Sequence, residues 1–181
     1  MSTLTTDPGF ARGTVLGVTK PMYDANPGDG SHLLGTHKVF LDADPRNQPV
    51  QSNETVECVA VRNTSGGALL PKTLVKFKAG AILTEIDGSA TDSSVRVGVV
   101  DEYLPAAGVP VNEVFWVVVK GPTTILKTTG VGNDVEAGEA VSATATAGKI
   151  GPGAAAQVGI ALDAATTAAT EVRVIVSTSA A

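Results

Sequence analysis

The hydrophobic pattern of the chain changes near residue 54. From there to the end, short runs rich in Val, Ile, Thr or Phe are separated by turns of Gly, Asn, Asp and Ser. Such runs, bounded by turn residues, are typical of β-strands. The sequence predicts strands at Val56–Arg62, Leu74–Lys78, Ala81–Ile86, Val95–Asp101, Glu113–Lys120, Thr124–Thr128, Ala140–Thr146, Ala156–Leu162 and Val172–Ser177. Their regular spacing predicts an all-β fold, a compact β-barrel or β-sandwich.

The strand pattern also occurs twice. Each copy has three parts: a segment that leads into a strand, a run containing Val-Gly, and a final apolar run. In the first copy these parts lie at 70–75, 97–101 and 113–119, and in the second at 135–141, 158–163 and 171–176. We therefore expect two related β units packed into one barrel or sandwich. Gly98 and Gly159 lie inside the Val-Gly runs. A glycine within a strand indicates a bulge or a close backbone approach.

Residues 1–52 have a different character. They hold five of the ten prolines and show no helical spacing of apolar residues, and their one strand-like piece is His37–Leu41. Because proline at this density breaks regular structure, we expect a long extended N-terminal arm at 1–52 before a β domain at 53–181. A flexible linker would not need apolar anchors. The arm carries ten candidate contact residues: Phe10, Val15, Leu16, Met22, Tyr23, Leu33, Leu34, Val39, Phe40 and Leu41. They could pack on their own domain, on a sister subunit or on a partner.

Composition narrows the possible partners. The chain is 43% hydrophobic but only 4% aromatic, and its 17% of charged residues lies below the usual fraction of about 25%. Either a partner covers apolar surface, or the domain is simply rich in Ala and Val. The net charge is -5, and the 13 basic residues are scattered. Nucleic-acid binding needs clustered Lys and Arg, so we expect neither nucleic acid nor an anionic membrane as a partner.

The sequence contains few residues that could take part in catalysis or bind a metal. Cys58 is the single cysteine and lies in an apolar run, which predicts a small buried hydrophobe. His32 and His37 match no metal-ligand spacing. Asp101 and Glu102 could form an acid pair, but we expect a solvated loop there. The sequence therefore predicts no catalytic residue, no metal and no cofactor, and a protein that is not an enzyme.

No long apolar segment is present. The longest purely apolar run is Val114–Val119, six residues, whereas a membrane-spanning helix needs roughly 20. The first residues lack the charged start and apolar core of a signal peptide. We expect a soluble protein that is made in the cytoplasm and has no membrane partner.

Three stretches carry a likeness to known proteins: Leu34–Asp42, Val59–Lys72 and Val158–Val176. In their general pattern they resemble tailed-bacteriophage head proteins, particularly capsid decoration (cement) proteins. The resemblance implies a virion protein on the outer capsid surface that stabilises the shell by bridging major capsid subunits. It also implies a homo-oligomer, with a trimer favoured. The arm would then act as a clamp, because extended segments can add strands to neighbouring sheets.

The alternative from another class is a phage fibre, spike or surface adhesion module that binds host glycan. That function needs exposed aromatic rings on which sugars can stack. Trp116 is the only tryptophan, and it lies in the most apolar predicted strand. The sequence leaves open the host, the lattice site and any glycan binding.

Overall fold

The computed structural model describes residues 33–43, 50–81 and 83–178. This part of the chain contains ten strands and no α-helix, and so no helix that could cross a membrane. The strands are β1 His37–Ala43, β2 Val50–Asn63, β3 Leu74–Phe77, β4 Glu85–Ser89, β5 Val97–Val100, β6 Val114–Leu126, β7 Ala140–Ala143, β8 Ile150–Pro152, β9 Gln157–Ala161 and β10 Glu171–Ser177. The predicted all-β fold is confirmed.

All ten strands belong to one sheet in the order β1-β2-β4-β3-β5-β6-β10-β9-β7-β8. An additional antiparallel pairing joins β2 to β6, from Arg62↔Val114 to Glu57↔Lys120. This pairing closes β2, β4, β3, β5 and the first half of β6 into a ring of five strands. We call this ring the first barrel. In a closed ring every strand has a neighbour on both sides, so none of these five strands has an unpaired edge within the barrel.

The second half of β6 begins another ring. It pairs with β10, and β10, β9, β7 and β8 follow in order. A parallel bridge from Lys127, just after β6, to Ile150 of β8 closes this ring. The first barrel is closed in the same way, by parallel pairing of β2 with β4. We call the ring formed by β6, β8, β7, β9 and β10 the second barrel, and β6 is the strand that both barrels share.

The two barrels have the same register as well as the same topology. Val75 pairs with Gly98 in the first barrel, and Val141 pairs with Gly159 in the second. Further equivalent pairs are Val99↔Val118 and Ile160↔Ile175, and Leu69↔Val109 and Val135↔Ala165. The prediction of two related β units is therefore confirmed, and positions in one barrel can be compared with positions in the other.

Alternation along β2 and β6 creates two hydrophobic clusters. Side chains inside the first barrel, including Val59, Val61, Phe115 and Val117, form one cluster. The intervening side chains, among them Trp116, point out of the first barrel into a larger cluster that includes the interior of the second barrel. Both faces of β6 are thus buried over Val114–Val119. This explains its continuous apolar run, since a strand that is buried on both faces has no polar positions.

The glycines of the Val-Gly runs mark close approaches, as predicted. A Cβ atom on Gly98 would collide with the Val117 side chain, and one on Gly159 would collide with the backbone carbonyl oxygen of Ile175. Each glycine lets its strand lie closer to the neighbouring strand than any side chain would allow.

Three predicted elements differ from the structure. Gly121 and Pro122 do not separate two strands, because Gly121 adopts a φ of 109° and β6 continues through it. The strand predicted at 81–86 lies at Glu85–Ser89, after a hairpin in which Leu83 has a φ of 52°. No strand was predicted between Thr146 and Ala156, where the structure has β8 at Ile150–Pro152. In each case long-range pairing decided a conformation that local residue preferences left open.

Part of the predicted arm is joined to the barrels. β1 pairs antiparallel with β2, from His37↔Val59 to Ala43↔Val50. Phe40 of β1 is buried edge-to-face against Trp116, with ring centroids 5.0 Å apart. The remainder of the predicted arm, residues 1–32 and 44–49, lies outside the described residues. The boundary near residue 52 stays a prediction.

Candidate interaction surface

The polar side chains near the predicted arm do not form a metal centre. The Nδ1 atom of His37 lies 3.1 Å from Glu57 Oε1 on the exposed face of β1 and β2. Within the described ranges, no three His, Cys, Asp or Glu side chains come together in a way that could hold a metal ion. His32 lies outside the described residues.

The residues Asp101 and Glu102 lie directly after β5 and differ in their surroundings. Asp101 is only 1% exposed, so the expectation of a solvated loop was wrong for this residue. The Glu102 carboxylate accepts hydrogen bonds from the Thr124 backbone N–H at 3.1 Å and from the Thr124 hydroxyl at 2.7 Å. Because Thr124 lies on β6 within the second barrel, Glu102 ties the loop after β5 to the neighbouring barrel.

Cys58 is the small buried hydrophobe that the sequence predicted. Its side chain is fully buried on the outward face of β2. Burial raises the pKa of the thiol well above its ordinary value, and the nearby Asp101 and Glu57 carboxylates raise it further. The reactive species of cysteine is the thiolate. Cys58 therefore stays protonated and unreactive in the folded protein.

Two buried polar residues were missed in the sequence, and they occupy equivalent places. The Asn63 Nδ2 atom donates to three backbone carbonyl oxygens at 2.8–3.2 Å, those of Gly67, Val109 and Pro110. The Lys127 ammonium donates to carbonyl oxygens of Thr128 and Thr166 at 3.0 Å, and to that of Ala169 at 3.5 Å. Each residue is 0% exposed and holds the long loop that precedes the last strand of its barrel. The signal in the sequence was a polar residue at the end of a long apolar strand.

The described aromatic side chains are buried. Trp116 is 2% exposed and Tyr103 6% exposed, and Phe40, Phe77 and Phe115 are also buried. Phe10 and Tyr23 lie outside the described residues. The part of the chain that the structure describes therefore offers no exposed ring on which a sugar could stack.

The structure places four predicted contact residues with their side chains. Phe40 lies in the core, Leu33 packs against the larger hydrophobic cluster, Leu34 is half-buried and Val39 is 58% exposed. Leu41 lies within β1, and its side chain is outside the described set, as are Phe10, Val15, Leu16, Met22 and Tyr23. Whether these residues contact a partner stays a prediction.

β1 is the outermost strand at its end of the sheet. One edge pairs with β2, and no described strand pairs with the other edge. Such an edge presents backbone N–H and C=O groups to which another extended chain can add. Val39 points outward from this strand, and Lys38 lies over the Phe40 ring with Nζ 5.2 Å from the centroid. Phe40 thus fixes a strand that is an edge strand among the described residues.

A second exposed apolar surface lies on the second barrel. Ile160 of β9 and Ile175 of β10 are direct cross-strand partners, and they are 46% and 42% exposed. The sequence carried a signal for this surface. In Glu171–Ser177 every second residue is buried, and Ile175 is the one large apolar residue at an outward position.

Comparisons with known proteins add little to this description. No protein-family model matches the chain, and no curated protein shows significant similarity to it. Among solved structures, the chain is similar to the head fibre gp8.5 N base of bacteriophage phi29. The identity is 15%, the match covers 66% of this chain and 92% of that chain, and the TM-score is 0.44. A superposition this loose establishes neither a shared fold nor a shared function.

Proposed function

We propose that this chain is a structural protein of a tailed-phage virion, which binds the outer capsid surface and stabilises the shell by bridging major capsid subunits. The observation that carries the proposal is β1. This strand is fixed to the barrels through Phe40, yet Val39 is exposed and no described strand pairs with its outer edge. It directly follows the segment in which the sequence places most of the apolar anchors.

Two rigid barrels with an edge strand suit a bridging role. A shell-stabilising protein must resist separation of neighbouring subunits, and closed barrels with buried cores deform little. Extended segments contribute many modest contacts through backbone hydrogen bonds. Copies bound at equivalent lattice points gain further from multivalency. A homo-oligomer, with a trimer favoured, would multiply these contacts again.

We also propose that the chain has no enzymatic activity. Three polar residues that could have served catalysis are committed to the fold. Asn63 and Lys127 hold loops, and Glu102 holds a strand of the neighbouring barrel. The glycan-binding alternative is not favoured by any described residue, because the described aromatic rings are buried.

The first test is the copy number of this chain per major capsid subunit in purified particles, measured by quantitative mass spectrometry. We expect a ratio near one or a simple fraction such as one third, since a lattice protein occupies equivalent sites. A handful of copies per particle would indicate a fibre or vertex protein instead. Absence from virions would overturn the proposal.

A second test uses particles stripped of this chain and then incubated with purified variants. Val39→Lys places a charge on the exposed face of β1, and we expect it to bind capsids more weakly than the wild type. Val131→Lys is the matched control, because Val131 is fully exposed in the loop after β6, far along the chain from β1. Equal binding by both variants would remove β1 from the interface.

A further inference from the structure

Two loop segments of the first barrel form a short ribbon. Residues 67–70, after β2, and residues 108–111, before β6, lie side by side because Leu69 and Val109 exchange backbone hydrogen bonds of 3.1 and 2.8 Å. The buried Asn63 amide donates to backbone carbonyl oxygens of both segments. We call the two segments together the first ribbon. Its backbone is already fixed by these hydrogen bonds, so binding of a partner would not have to order it.

The outward positions of the first ribbon are apolar. Its two bridged residues are buried, and in an extended pair the residues next to them point the other way. These outward residues are Ala68, Leu70 and Pro110. All three are exposed, and Leu70 is 51% exposed. The exposed residues within 66–70 and 105–112 include no charged side chain, so the first ribbon lies in an uncharged surface.

The second barrel has the same ribbon with a different surface. Val135 and Ala165 exchange the equivalent backbone hydrogen bonds, at 2.9 and 2.8 Å. The shared register places Asp134, Glu136 and Thr166 at the outward positions, and all three are exposed. We call this pair of segments the second ribbon. Because the same backbone carries polar residues there, the barrel fold does not require the apolar residues of the first ribbon.

We propose that the first ribbon is a second capsid contact of this chain, and that it binds an apolar, uncharged surface of a major capsid subunit. The inference rests on the proposed function and names the attachment surface that a bridge needs besides β1. An apolar surface that the fold does not require is typical of an interaction site. The partner surface is uncharged, because a charge buried against the first ribbon would find no group of opposite sign.

The two capsid contacts are joined by one strand. Val39 of β1 lies opposite Glu57 of β2, and the first ribbon follows the end of β2 at Asn63. The intervening stretch, residues 57–63, is about 20 Å long at roughly 3.3 Å per residue. β2 pairs with β6 along this stretch, so it belongs to the closed first barrel. The two contacts are therefore held at a fixed separation, which a protein that bridges two subunits requires.

The first experiment measures how tightly purified variants of the full chain bind particles that were stripped of it. Leu70→Glu gives the first ribbon the residue type that the second ribbon has at this position. It should weaken binding by about tenfold or more, because it buries a charge in an apolar contact. Leu70→Met keeps an apolar side chain of similar volume and should bind within about twofold of the wild type.

Val131→Glu is the matched control for this experiment. It adds the same charge in place of a fully exposed apolar residue, in a loop of the second barrel. We expect it to bind particles like the wild type. Binding by Leu70→Glu that equals the wild type, or an equal loss for Leu70→Glu and Val131→Glu, would overturn the proposal.

The second experiment identifies the occupant of the first ribbon by crosslinking. Cys58 is the single cysteine of the chain and is fully buried, so a thiol-specific photocrosslinker attached to Leu70→Cys labels that position selectively. After binding to stripped particles and irradiation, we expect a covalent product with the major capsid subunit, identified by mass spectrometry. Val131→Cys, labelled in the same way, should give little of this product. A product formed mainly with a second copy of this chain, or within one chain, would contradict the proposal.

Thermal unfolding and sedimentation of Leu70→Glu complete the test. Both should match the wild type, since Glu136 occupies the equivalent exposed position of the second barrel. A much lower unfolding temperature would mean that the chain itself covers Leu70, and a changed oligomeric state would assign the first ribbon to a contact between copies; either result overturns the inference. If the wild type binds particles and Leu70→Glu binds equally well, the proposed function stands and only this inference fails. If the wild type is absent from virions and does not bind stripped particles, both fail.

Discussion

The two barrels of this protein share topology and register but not core volume. Where the first barrel has Phe77 and Phe115, the second has Ala143 and Val172 at the equivalent positions, and Val100 corresponds to Ala161. Both interiors are nevertheless well buried. The comparison shows that strand pairing and glycine positions define this barrel. The side chains inside it can then vary in size as long as each barrel fills its own volume.

The outer faces of the barrels differ more than their interiors. β6 is buried on both faces over Val114–Val119, because the second barrel and β1 cover the first. β10 occupies the equivalent place in the second barrel, and it alternates strictly between exposed and buried residues. The hydrophobic pattern of a strand therefore reports how many of its faces are covered. Ile175 departs from this rule, because it is a large apolar residue at an outward position.

Shortening a core side chain should reveal the largest difference in stability between the two barrels. Phe115→Ala removes a fully buried ring from the first barrel and should lower the free energy of unfolding by about 4 kcal/mol. Val172→Ala, at the equivalent position in the second barrel, removes two methyl groups and should cost about 2 kcal/mol. Both values can be measured by urea denaturation followed by circular dichroism.

The same experiment shows whether the barrels unfold together. The larger hydrophobic cluster spans both barrels and β6 is shared, so we expect one transition in which both variants shift the same midpoint. If Val172→Ala moved one of two transitions and left the other in place, the barrels would be independent folding units, and the shared cluster would contribute little cooperativity.

Substitutions of the two strand glycines, Gly98 and Gly159, should differ in their cost to stability, because each glycine faces a different group. Gly159→Ala directs a methyl group at a backbone carbonyl oxygen, which cannot move without disturbing β10, and should cost about 3 kcal/mol. Gly98→Ala meets the side chain of Val117, which is buried and branched but can shift more easily than a backbone atom, and should cost about 2 kcal/mol. Thermal unfolding of the two variants gives the comparison. A reversal of the order would mean that the first barrel is the more rigid one.

Substitutions of the two buried loop anchors, Asn63 and Lys127, should lower the free energy of unfolding by similar amounts. Asn63→Ala and Lys127→Ala each remove one side-chain donor from three backbone carbonyl oxygens. The oxygens of Gly67, Val109 and Pro110 each keep a second donor. Each variant therefore loses net hydrogen bonds of roughly 0.5–1.5 kcal/mol apiece, and we expect a loss of about 2 kcal/mol for each. Faster amide hydrogen exchange should appear in the loop before β6 for the first variant, and in the loop before β10 for the second. Exchange that increased uniformly would show that neither residue acts as a local anchor.

Much of this comparison could be predicted from the sequence, because the determining signals were local. Alternation and turn residues predicted most strands, and the two Val-Gly runs predicted the duplicated unit. Barrel closure could not be predicted, since it depends on β2–β6 pairing between residues far apart in the chain. The predicted separation of the strands Glu113–Lys120 and Thr124–Thr128 was wrong for the same reason. The roles of Asn63 and Lys127 depend on loop carbonyls that only the fold brings to them, and the contact role of the predicted arm residues is still untested.

The smallest predicted effect concerns the tips of the two hairpins. In the hairpin between β3 and β4, Lys78 Nζ lies 2.7 Å from Glu85 Oε2, whereas the hairpin between β7 and β8 has Thr144 and Lys149 at these positions. The hydrogen bond from Lys78 lowers the pKa of Glu85 below its ordinary value of 4.5, although burial acts in the opposite direction. A carboxyl group whose pKa is lowered by folding contributes stability above pH 4.5. That stability is lost as the pH falls through the lowered value.

Glu85→Gln keeps the shape of the side chain and removes its charge. Since the pair is well exposed to solvent, we expect the variant to lose only about 0.3 kcal/mol at neutral pH. This difference from the wild type should shrink as the pH falls below 4.5 and should also shrink in high salt. Glu136→Gln changes the net charge equally at an exposed site outside the hairpin and is the matched control. A difference that persisted at low pH would show that Gln perturbs packing of the hairpin, and that the ion pair does not stabilise the β3–β4 hairpin.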